Sequence, residues 1–411
     1  MTDERTLRQI AERYKTPTYL FDEVELRERV SGIRRILNGN KTGHIGLCYS
    51  IKANPFLIPA LLYTVDRFEV CSPGELSICK RYNVPGSKII YSGVHKETSD
   101  LKEAVDYGVS VITAESIRQY ELTDEVVNSL NRPVKMILRL SSGSQFGMSR
   151  EDLEYILKKN KDNGLIDITG IHYFAGTQRT KLDHQRDELK KISALIKELR
   201  KKYHIPLPVF EYGPGLPFPY FGDEAESADT LGPLRELKDD LSALTEDHEL
   251  TVEMGRFIAS SCGYYLTKVV DIKHSGDTNW CILDGGINHV NYYGQMMGMK
   301  VPVIKVLKNE ENLSGRPSGS EGPGIGTKWT LCGSLCTTGD VLARDIAMDD
   351  PSVGDIFVMC NIGAYSVTES LYMFLSHPMP LIVLMNEDRE TIVRDRFDTW
   401  QLNAADELPF F

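Results

Sequence analysis

Short apolar runs alternate with amphipathic stretches from residue 26 to residue 262. The apolar runs are rich in β-branched and aromatic residues, and the stretches after them carry apolar residues at helical spacing. Strand-like runs occupy 46–50, 88–92, 109–113, 135–140, 168–173 and 209–212, and helices are predicted over 55–63, 99–107, 116–128, 149–160 and 181–202. Repeated strand–helix units in this number predict an α/β fold, a (β/α)8 TIM barrel.

The pattern changes at residue 263, after which strands and turns replace the strand–helix units. Strands are predicted at 264–272, 280–283, 301–306, 355–359, 381–385 and 391–394. These segments predict a separate β domain, a barrel or sandwich, formed by residues 1–25 and 263–411 and completed by an N-terminal strand at 18–21. The Gly/Ser/Pro-rich segment 312–326 is predicted to be a surface loop of this domain.

Composition limits the classes of protein that this chain can represent. Its 411 residues are 41% hydrophobic and 26% charged, which is enough for a large core and two domains. The net charge of −11 argues against a nucleic-acid-binding surface, because phosphate contacts require a basic patch. No apolar run approaches the roughly 20 residues that span a bilayer, and the N-terminus is polar, so we expect a cytoplasmic protein without a membrane segment.

The eight cysteines are scattered along the chain. They form no CxxC pair and no paired Cys/His spacing, so we expect free thiols in a reducing compartment and no metal site.

One lysine stands where a buried strand runs out into a loop. Lys52 lies in the stretch CYSIKANPF, which begins at Cys48. Catalytic groups of barrel enzymes sit at the ends of the strands, so Lys52 is in a position suited to chemistry. The residues alone leave two interpretations open: a solvated lysine at the start of a loop, or an amine that binds an aldehyde cofactor.

Ten short motifs resolve this choice, because together and in this order they resemble one family. They are YSIKANP, EVCSPGEL, IYSGVHKE, QFGMS, GIHYFAGTQ, EYGPGLP, VEMGRFIAS, LDGGIN, LCGSLCTTGD and CNIGAYS. The chain resembles, over essentially its full length, the fold-type III (alanine-racemase-fold) decarboxylases that use pyridoxal 5′-phosphate, such as diaminopimelate and ornithine decarboxylases. The resemblance implies a carboxy-lyase that releases CO2 from an α-amino acid.

The resemblance assigns the reactive end of the cofactor site. Lys52 matches the lysine that binds the cofactor covalently and later returns a proton to the product. Glu253 matches the carboxylate that keeps the pyridine nitrogen protonated, so that the ring can accept electrons. Glu69 stands where an aspartate is common, and Phe174 replaces the histidine that usually stacks on the ring. His172 is expected to be a core residue or to support the site from behind Phe174.

The resemblance also assigns the phosphate end. Gly213 and Gly215 match a glycine-rich loop that wraps phosphate oxygens with backbone N–H groups, although Pro214 removes one donor. Arg256 is expected to add a charged contact, with Gly255 allowing its close approach. Further contacts are implied for Thr177, which replaces the family's serine, and for Tyr365.

Cys336 and Asp340 match two residues that this family contributes to the active site of the neighbouring subunit. The resemblance therefore implies a homodimer with shared active sites, in which Cys336 is catalytic and Thr337, Asp340 and Tyr365 contact the substrate. A structural role is the alternative for Cys336, since a single cysteine is most often a small buried apolar residue.

The substrate is predicted from two absences. Diaminopimelate decarboxylases are expected to carry a glutamate after the active-site cysteine, and ornithine enzymes an aspartate, but this chain has Thr337. No arginine occurs in 284–300, where one would hold a distal carboxylate. Within the family, QFGMS, GTQ, LDGGIN and LCTTGD are most similar to the butirosin-pathway type that acts on a glutamyl group attached to an acyl carrier protein.

We therefore expect a substrate with an uncharged or carrier-tethered far end. The alternatives are diaminopimelate, ornithine or lysine as substrate. Two other classes are also weighed: an amino-acid racemase, against which Glu253 argues, and a regulator that has lost catalysis, against which Lys52, Glu253 and Arg256 argue.

Overall fold

Strands and short helices alternate along the computed structural model, which describes residues 2–39, 43–222, 229–292, 298–309, 327–387 and 389–405. The strands are β1 (Thr18–Asp22), β2 (Gly46–Ser50), β3 (Arg67–Val70), β4 (Ile89–Tyr91), β5 (Val111–Ala114), β6 (Val134–Arg139), β7 (Ile166–Phe174), β8 (Val209–Gly213), β9 (Glu249–Met254), β10 (Gly263–Ser275), β11 (Thr278–Leu283), β12 (Ile304–Leu307), β13 (Lys328–Cys332), β14 (Val341–Ala347), β15 (Ile356–Met359), β16 (Leu381–Met385) and β17 (Glu390–Arg394). The helices are α1 (Glu4–Tyr14), α2 (Glu23–Asn38), α3 (Ile58–Leu61), α4 (Pro73–Arg81), α5 (Thr98–Tyr107), α6 (Ile117–Leu130), α7 (Arg150–Lys159), α8 (Leu182–Tyr203), α9 (Gly232–Leu244), α10 (Arg256–Ala259), α11 (Ser366–Glu369) and α12 (Trp400–Asn403).

Strands β2 to β9 form a closed parallel barrel in chain order. Their runs are almost continuously buried, as parallel strands covered by helices must be. The amphipathic helices supply that cover: the buried residues of α8, among them Leu189, Ile192, Ile196 and Leu199, recur every three or four positions. The predicted (β/α)8 barrel is confirmed.

The exit from β3 shows how local sequence sets the ends of the barrel strands. The Ser72 hydroxyl accepts a hydrogen bond from the Glu75 amide at 3.1 Å, which caps α4, and Pro73 occupies its first turn. The Glu75 carboxylate in turn accepts from the Cys71 amide at 2.6 Å. These two contacts fix the chain directly after Glu69, near the end of β3.

The second unit is built on a mixed sheet with the order β14-β13-β11-β10-β1-β16-β17, to which β15 and β12 are joined through β10. Strand β1 is buried along its whole length and runs antiparallel to β10 and parallel to β16. The prediction that an N-terminal strand completes this domain is confirmed.

The described residues divide into two compact units. One unit comprises residues 27–218 and 229–258, and the other comprises 2–26, 219–222 and the described residues from Ala259 onward. The predicted barrel, 26–262, also includes residues 26, 219–222 and 259–262.

Several predicted elements differ from those observed. Strands β3, β9, β13 and β14 were not among those predicted, and the helix predicted at 55–63 is a 3₁₀ turn, Pro55–Leu57, followed by α3. Pro59 accounts for the interruption, because it lacks the N–H group that would bond to the carbonyl of Pro55 in a continuous helix. The loop predicted at 312–326 lies outside the described residues.

None of the described helices combines the length and the apolar content needed to cross a membrane. All eight cysteines are free thiols, of which Cys336 is exposed, Cys71 is half-buried and the others are buried.

Candidate active site

Lys52 lies immediately beyond β2, at the carboxyl end of the barrel strands. The 3₁₀ turn Ile51–Ala53 carries it, and its side chain remains 41% exposed. Its Nζ donates to Oε2 of Glu69 at 2.9 Å and lies 3.6 Å from Sγ of Cys71. The amine is therefore held by a buried carboxylate yet accessible, which suits an amine that must react.

Glu253 is the centre of a buried polar cluster next to this amine. Its Oε1 accepts from the Ser50 hydroxyl at 2.7 Å and lies 3.8 Å from Nζ of Lys52. Its Oε2 lies 3.1 Å from Nε2 of His172. Burial alone would raise the pKa of Glu253, but the charge of Lys52 and the hydrogen bond from His172 hold it well below its usual value. Glu253 is an ionised carboxylate.

His172 is fully buried on β7 and is oriented by this contact. Burial alone would lower the pKa of the imidazole, but the hydrogen bond and charge of Glu253 outweigh burial and raise it. The ring therefore faces the carboxylate as a proton donor. We had expected a supporting or core residue, and the structure places His172 against Glu253.

Glycines allow the elements of this site to approach closely. A Cβ on Gly255 would lie 3.0 Å from Cβ of Ala53, so glycine lets the end of β9 pack on the turn that carries Lys52. A Cβ on Gly213 would lie 2.4 Å from the ring of Phe174, which is half-buried against this loop. A side chain at either position would force its neighbour to shift.

A second polar group lies at the loops that follow β7 and β8. Gly215 has a φ of +59°, and a Cβ there would lie 1.8 Å from the carbonyl oxygen of Gly176. The Arg179 amide closes the two loops by donating to the Gly215 carbonyl at 2.9 Å. Nε of buried Arg256 lies 3.4 Å from the hydroxyl of Thr177. A guanidinium and a hydroxyl beside tightly packed glycine loops suit an anionic group.

The remaining predicted residues belong to the second unit. Cys336 and Thr337 are exposed on the loop between β13 and β14. Asp340 on the same loop is buried, and its carboxylate accepts from the Leu335 amide at 2.8 Å and the Ile287 amide at 2.9 Å. Burial raises the pKa of Asp340, and these amides partly offset the rise. Asp340 therefore fixes the shape of this loop.

Tyr365 begins α11 with a φ of +66°, a left-handed conformation that is rare outside glycine. The second-unit residues Cys336, Thr337 and Asp340 thus share one loop, whereas Tyr365 lies on another.

Sequence reasoning missed three residues that the structure places at the barrel site: Ser50, Cys71 and Glu211. Ser50 lies two residues before Lys52, and Glu211 directly precedes the residues of the glycine loop, so proximity to these motifs was the available signal. Nothing in the sequence showed that these side chains turn inward.

The residues present fit pyridoxal phosphate. An accessible amine, Lys52, and a buried carboxylate, Glu253, lie at the same end of the barrel, which supplies one group for the aldehyde and one for the ring nitrogen. Arg256, Thr177 and the glycine loops offer the donors that a phosphate requires. Together with the barrel, this set of groups defines a pyridoxal phosphate-dependent enzyme.

Comparisons with known proteins agree with this class. The sequence profile described as "Pyridoxal-dependent decarboxylase, pyridoxal binding domain" matches residues 25–260. The chain belongs to this family and is a pyridoxal phosphate-dependent amino-acid decarboxylase.

Curated relatives span nearly the whole chain. An L-glutamyl-[BtrI acyl-carrier protein] decarboxylase from Niallia circulans is 27% identical over 95% of this chain and 94% of its own. A 2-[(L-alanin-3-ylcarbamoyl)methyl]-2-hydroxybutanedioate decarboxylase from Staphylococcus aureus is 26% identical over 90% and 94%. The crystal structure of a diaminopimelate decarboxylase from M. jannaschii superposes with a TM-score of 0.83 at 22% identity, covering 98% and 94% of the two chains. This last likeness shows the fold.

Proposed function

We propose that this decarboxylase acts on an α-amino acid whose far end is uncharged or attached to a carrier protein. The observation that carries the proposal is the loop between β13 and β14, where an exposed threonine, Thr337, follows Cys336. The loop's carboxylate, Asp340, is buried and bound to two backbone amides.

The barrel residues supply the common part of the reaction. When bound, pyridoxal phosphate accepts the electron pair left on the α-carbon as CO2 departs. Lys52 attaches the aldehyde and returns a proton to the product, while ionised Glu253 holds the proton of the ring nitrogen. Arg256, Thr177, Gly213 and Gly215 would hold the phosphate, and Phe174 would cover the ring. Glu69 orients the Lys52 amine through their 2.9 Å contact.

The proposed specificity follows from the cost of an unpaired charge. A terminal ammonium placed against Thr337 would lose hydration without gaining a carboxylate partner, and such a loss costs several kcal/mol. Turning the Asp340 carboxylate towards substrate would leave the amides of Leu335 and Ile287 unsatisfied, at about 1–3 kcal/mol each. Since about 1.4 kcal/mol is a tenfold effect, the discrimination against a distal ammonium is at least about 100-fold.

Two relatives are named for substrates without a distal ammonium: the first is attached to a carrier, and the second ends in a butanedioate group, which carries carboxylates. One is named for a glutamyl group on an acyl carrier protein, and the other for an alanine whose third carbon is joined to a carbamoyl nitrogen. In both names, the part of the substrate beyond the amino acid is large.

A substrate panel tests the proposal. We expect CO2 release from a glutamyl thioester of an acyl carrier protein or of pantetheine to exceed that from free diaminopimelate, lysine, ornithine and arginine by at least about 100-fold in kcat/KM, from the charge argument above. Efficient and selective turnover of diaminopimelate would replace the proposal with a role in lysine formation.

A substitution in the same loop sharpens this test. Thr337→Asp adds the missing carboxylate, so we expect it to increase turnover of ornithine or lysine and to decrease that of the thioester. Thr338→Asp adds the same charge at the next exposed position and serves as the matched control. Equal effects of the two variants would contradict a role for residue 337 in reading the substrate.

We also propose that the active site is shared between two identical chains, with Cys336 of one chain acting at Lys52 of the other. Lys52→Ala and Cys336→Ala proteins are each expected to be inactive, whereas their mixture regains up to about one quarter of the wild-type activity if subunits pair at random. The measurement is CO2 release after verified subunit exchange. No recovery in the exchanged mixture would show that each chain carries a complete site.

A further inference from the structure

A third carboxyl group lies inside the barrel beside the Glu253 cluster. Glu211 is on β8, where the strand register pairs it with His172 on β7 and Thr251 on β9. It is only 2% exposed. The side-chain nitrogen or oxygen atoms that Glu211, His172 and Glu253 direct at one another all lie within 4.8 Å, a spacing that one water molecule can bridge.

The charges around Glu211 leave it without a partner. Within the described part of the barrel, Lys52 and His172 contact the other two carboxylates, Glu69 and Glu253. None of the described residues forms a hydrogen bond or ion pair with the Glu211 carboxyl group. The titratable and charged groups that face it come from five strands: Cys48, Arg67, Glu69, Lys135, Arg139, Asp167, His172, Glu249 and Glu253.

Ionisation of Glu211 is correspondingly unfavourable. Burial raises its pKa to about 8, and the negative charges of Glu253 and Glu69 contribute to the rise, while His172 and Arg67 oppose it. A carboxyl group with this pKa is mainly protonated at neutral pH and releases its proton in mildly alkaline solution.

Glu211 also lines a cavity at the opposite end of the barrel from Lys52. The cavity measures about 210 Å³, and its charged lining residues are Arg67, Lys135, Asp167, Glu211 and Glu249, of which Asp167 and Glu249 are exposed. These polar walls give the Glu211 carboxyl group a route for proton exchange that does not pass through the substrate side.

We propose that Glu211 is a positioning residue for Glu253, acting through His172 by remaining a neutral acid. While Glu211 is neutral, Nε2 of His172 is directed to Glu253 alone, at 3.1 Å from Oε2, and the carboxylate is held for the ring nitrogen. An ionised Glu211 adds a second anion within 4.8 Å of His172 and Glu253. This anion competes for the His172 ring and weakens the contact between His172 and Glu253. The inference concerns the cofactor end of the site and holds for any substrate.

The first test uses the wild-type holoenzyme labelled with ¹³C at the glutamate side-chain carboxyls. We expect one buried carboxyl resonance to titrate near pH 8, far from the ordinary value of 4.5. Glu211→Gln should remove this resonance, and Glu246→Gln, an exposed position outside the barrel interior, should leave it. If every glutamate in the wild-type protein titrates in the ordinary acidic range, the proposal is overturned without reference to any variant.

The second test follows the visible absorbance of the bound cofactor against pH. Glutamine mimics the neutral acid in shape and cannot ionise. We therefore expect the wild type to show a spectral transition near pH 8, and Glu211→Gln to keep the neutral-pH spectrum and lose that transition. Glu246→Gln should keep both features. A transition of equal size and midpoint in Glu211→Gln would show that Glu211 is only a packing residue. Neither readout depends on substrate, so a failed substrate panel leaves this inference intact.

Discussion

Lys52→Ala protein is expected to lose covalent cofactor attachment and to release CO2 at least about 10³-fold more slowly than the wild type, within the range for losing a positioned proton-transfer group. The amine lies 2.9 Å from Glu69 and 3.8 Å from Glu253, so its removal also leaves two buried carboxylates facing each other. Borohydride reduction followed by intact mass measurement reports attachment, and CO2 release reports activity.

The control for this result is Lys158→Ala, which removes an exposed lysine from α7. It should retain both the reduced-cofactor mass and the activity. A borohydride-stable cofactor adduct on Lys52→Ala protein would mean that another lysine carries the cofactor. Lys52→Arg separates charge from chemistry, since it keeps a cation beside Glu69 but cannot form the attachment.

The second large effect is expected at Glu253. Glu253→Gln should lower kcat by about 10²–10³-fold, the range seen when one group that stabilises developing charge is removed. The amide cannot hold a positive charge at the ring nitrogen, and it leaves His172 and Lys52 without their shared anion. The pKa of Glu253 is held well below the ordinary glutamate value of 4.5. When the pH is lowered from neutral to that value, Glu253 should therefore stay ionised, and its protonation should not reduce wild-type activity.

Two further variants serve as comparisons for Glu253→Gln: Glu253→Asp and Glu249→Gln. Aspartate keeps the charge with a shorter reach, so its activity should lie between those of the wild type and Glu253→Gln. Glu249 lies at the exposed start of the same strand, and its amide variant should behave as the wild type does. Equal, small losses in all three variants would remove Glu253 from the reaction.

The barrel could be predicted because its strands are apolar runs separated by helices with a clear apolar stripe. Strands β3 and β9 escaped prediction because they carry the inward-facing charges of the site, and Glu69 and Glu253 break the apolar pattern that identifies a buried strand. The position of Lys52 followed from the same reasoning, since a charged residue directly after an apolar run marks a strand end.

The contacts within the site could not be predicted. His172 and Glu253 are 81 residues apart, and their meeting depends on barrel closure and strand register. Asp340 resembled a substrate-binding acid in sequence, and only the amides of Leu335 and Ile287 show how its carboxylate is used. At position 337, by contrast, the sequence alone is enough to show that no charged side chain is present.

Strand β1 is synthesised long before one of its two neighbours in the sheet. Residues 18–22 leave the ribosome early, yet their parallel partner, β16, lies more than 350 residues later, at Leu381–Met385. The barrel strands are all made in between, so the barrel has its full sequence long before the sheet does. Until β16 is synthesised, one edge of β1 has no strand to pair with.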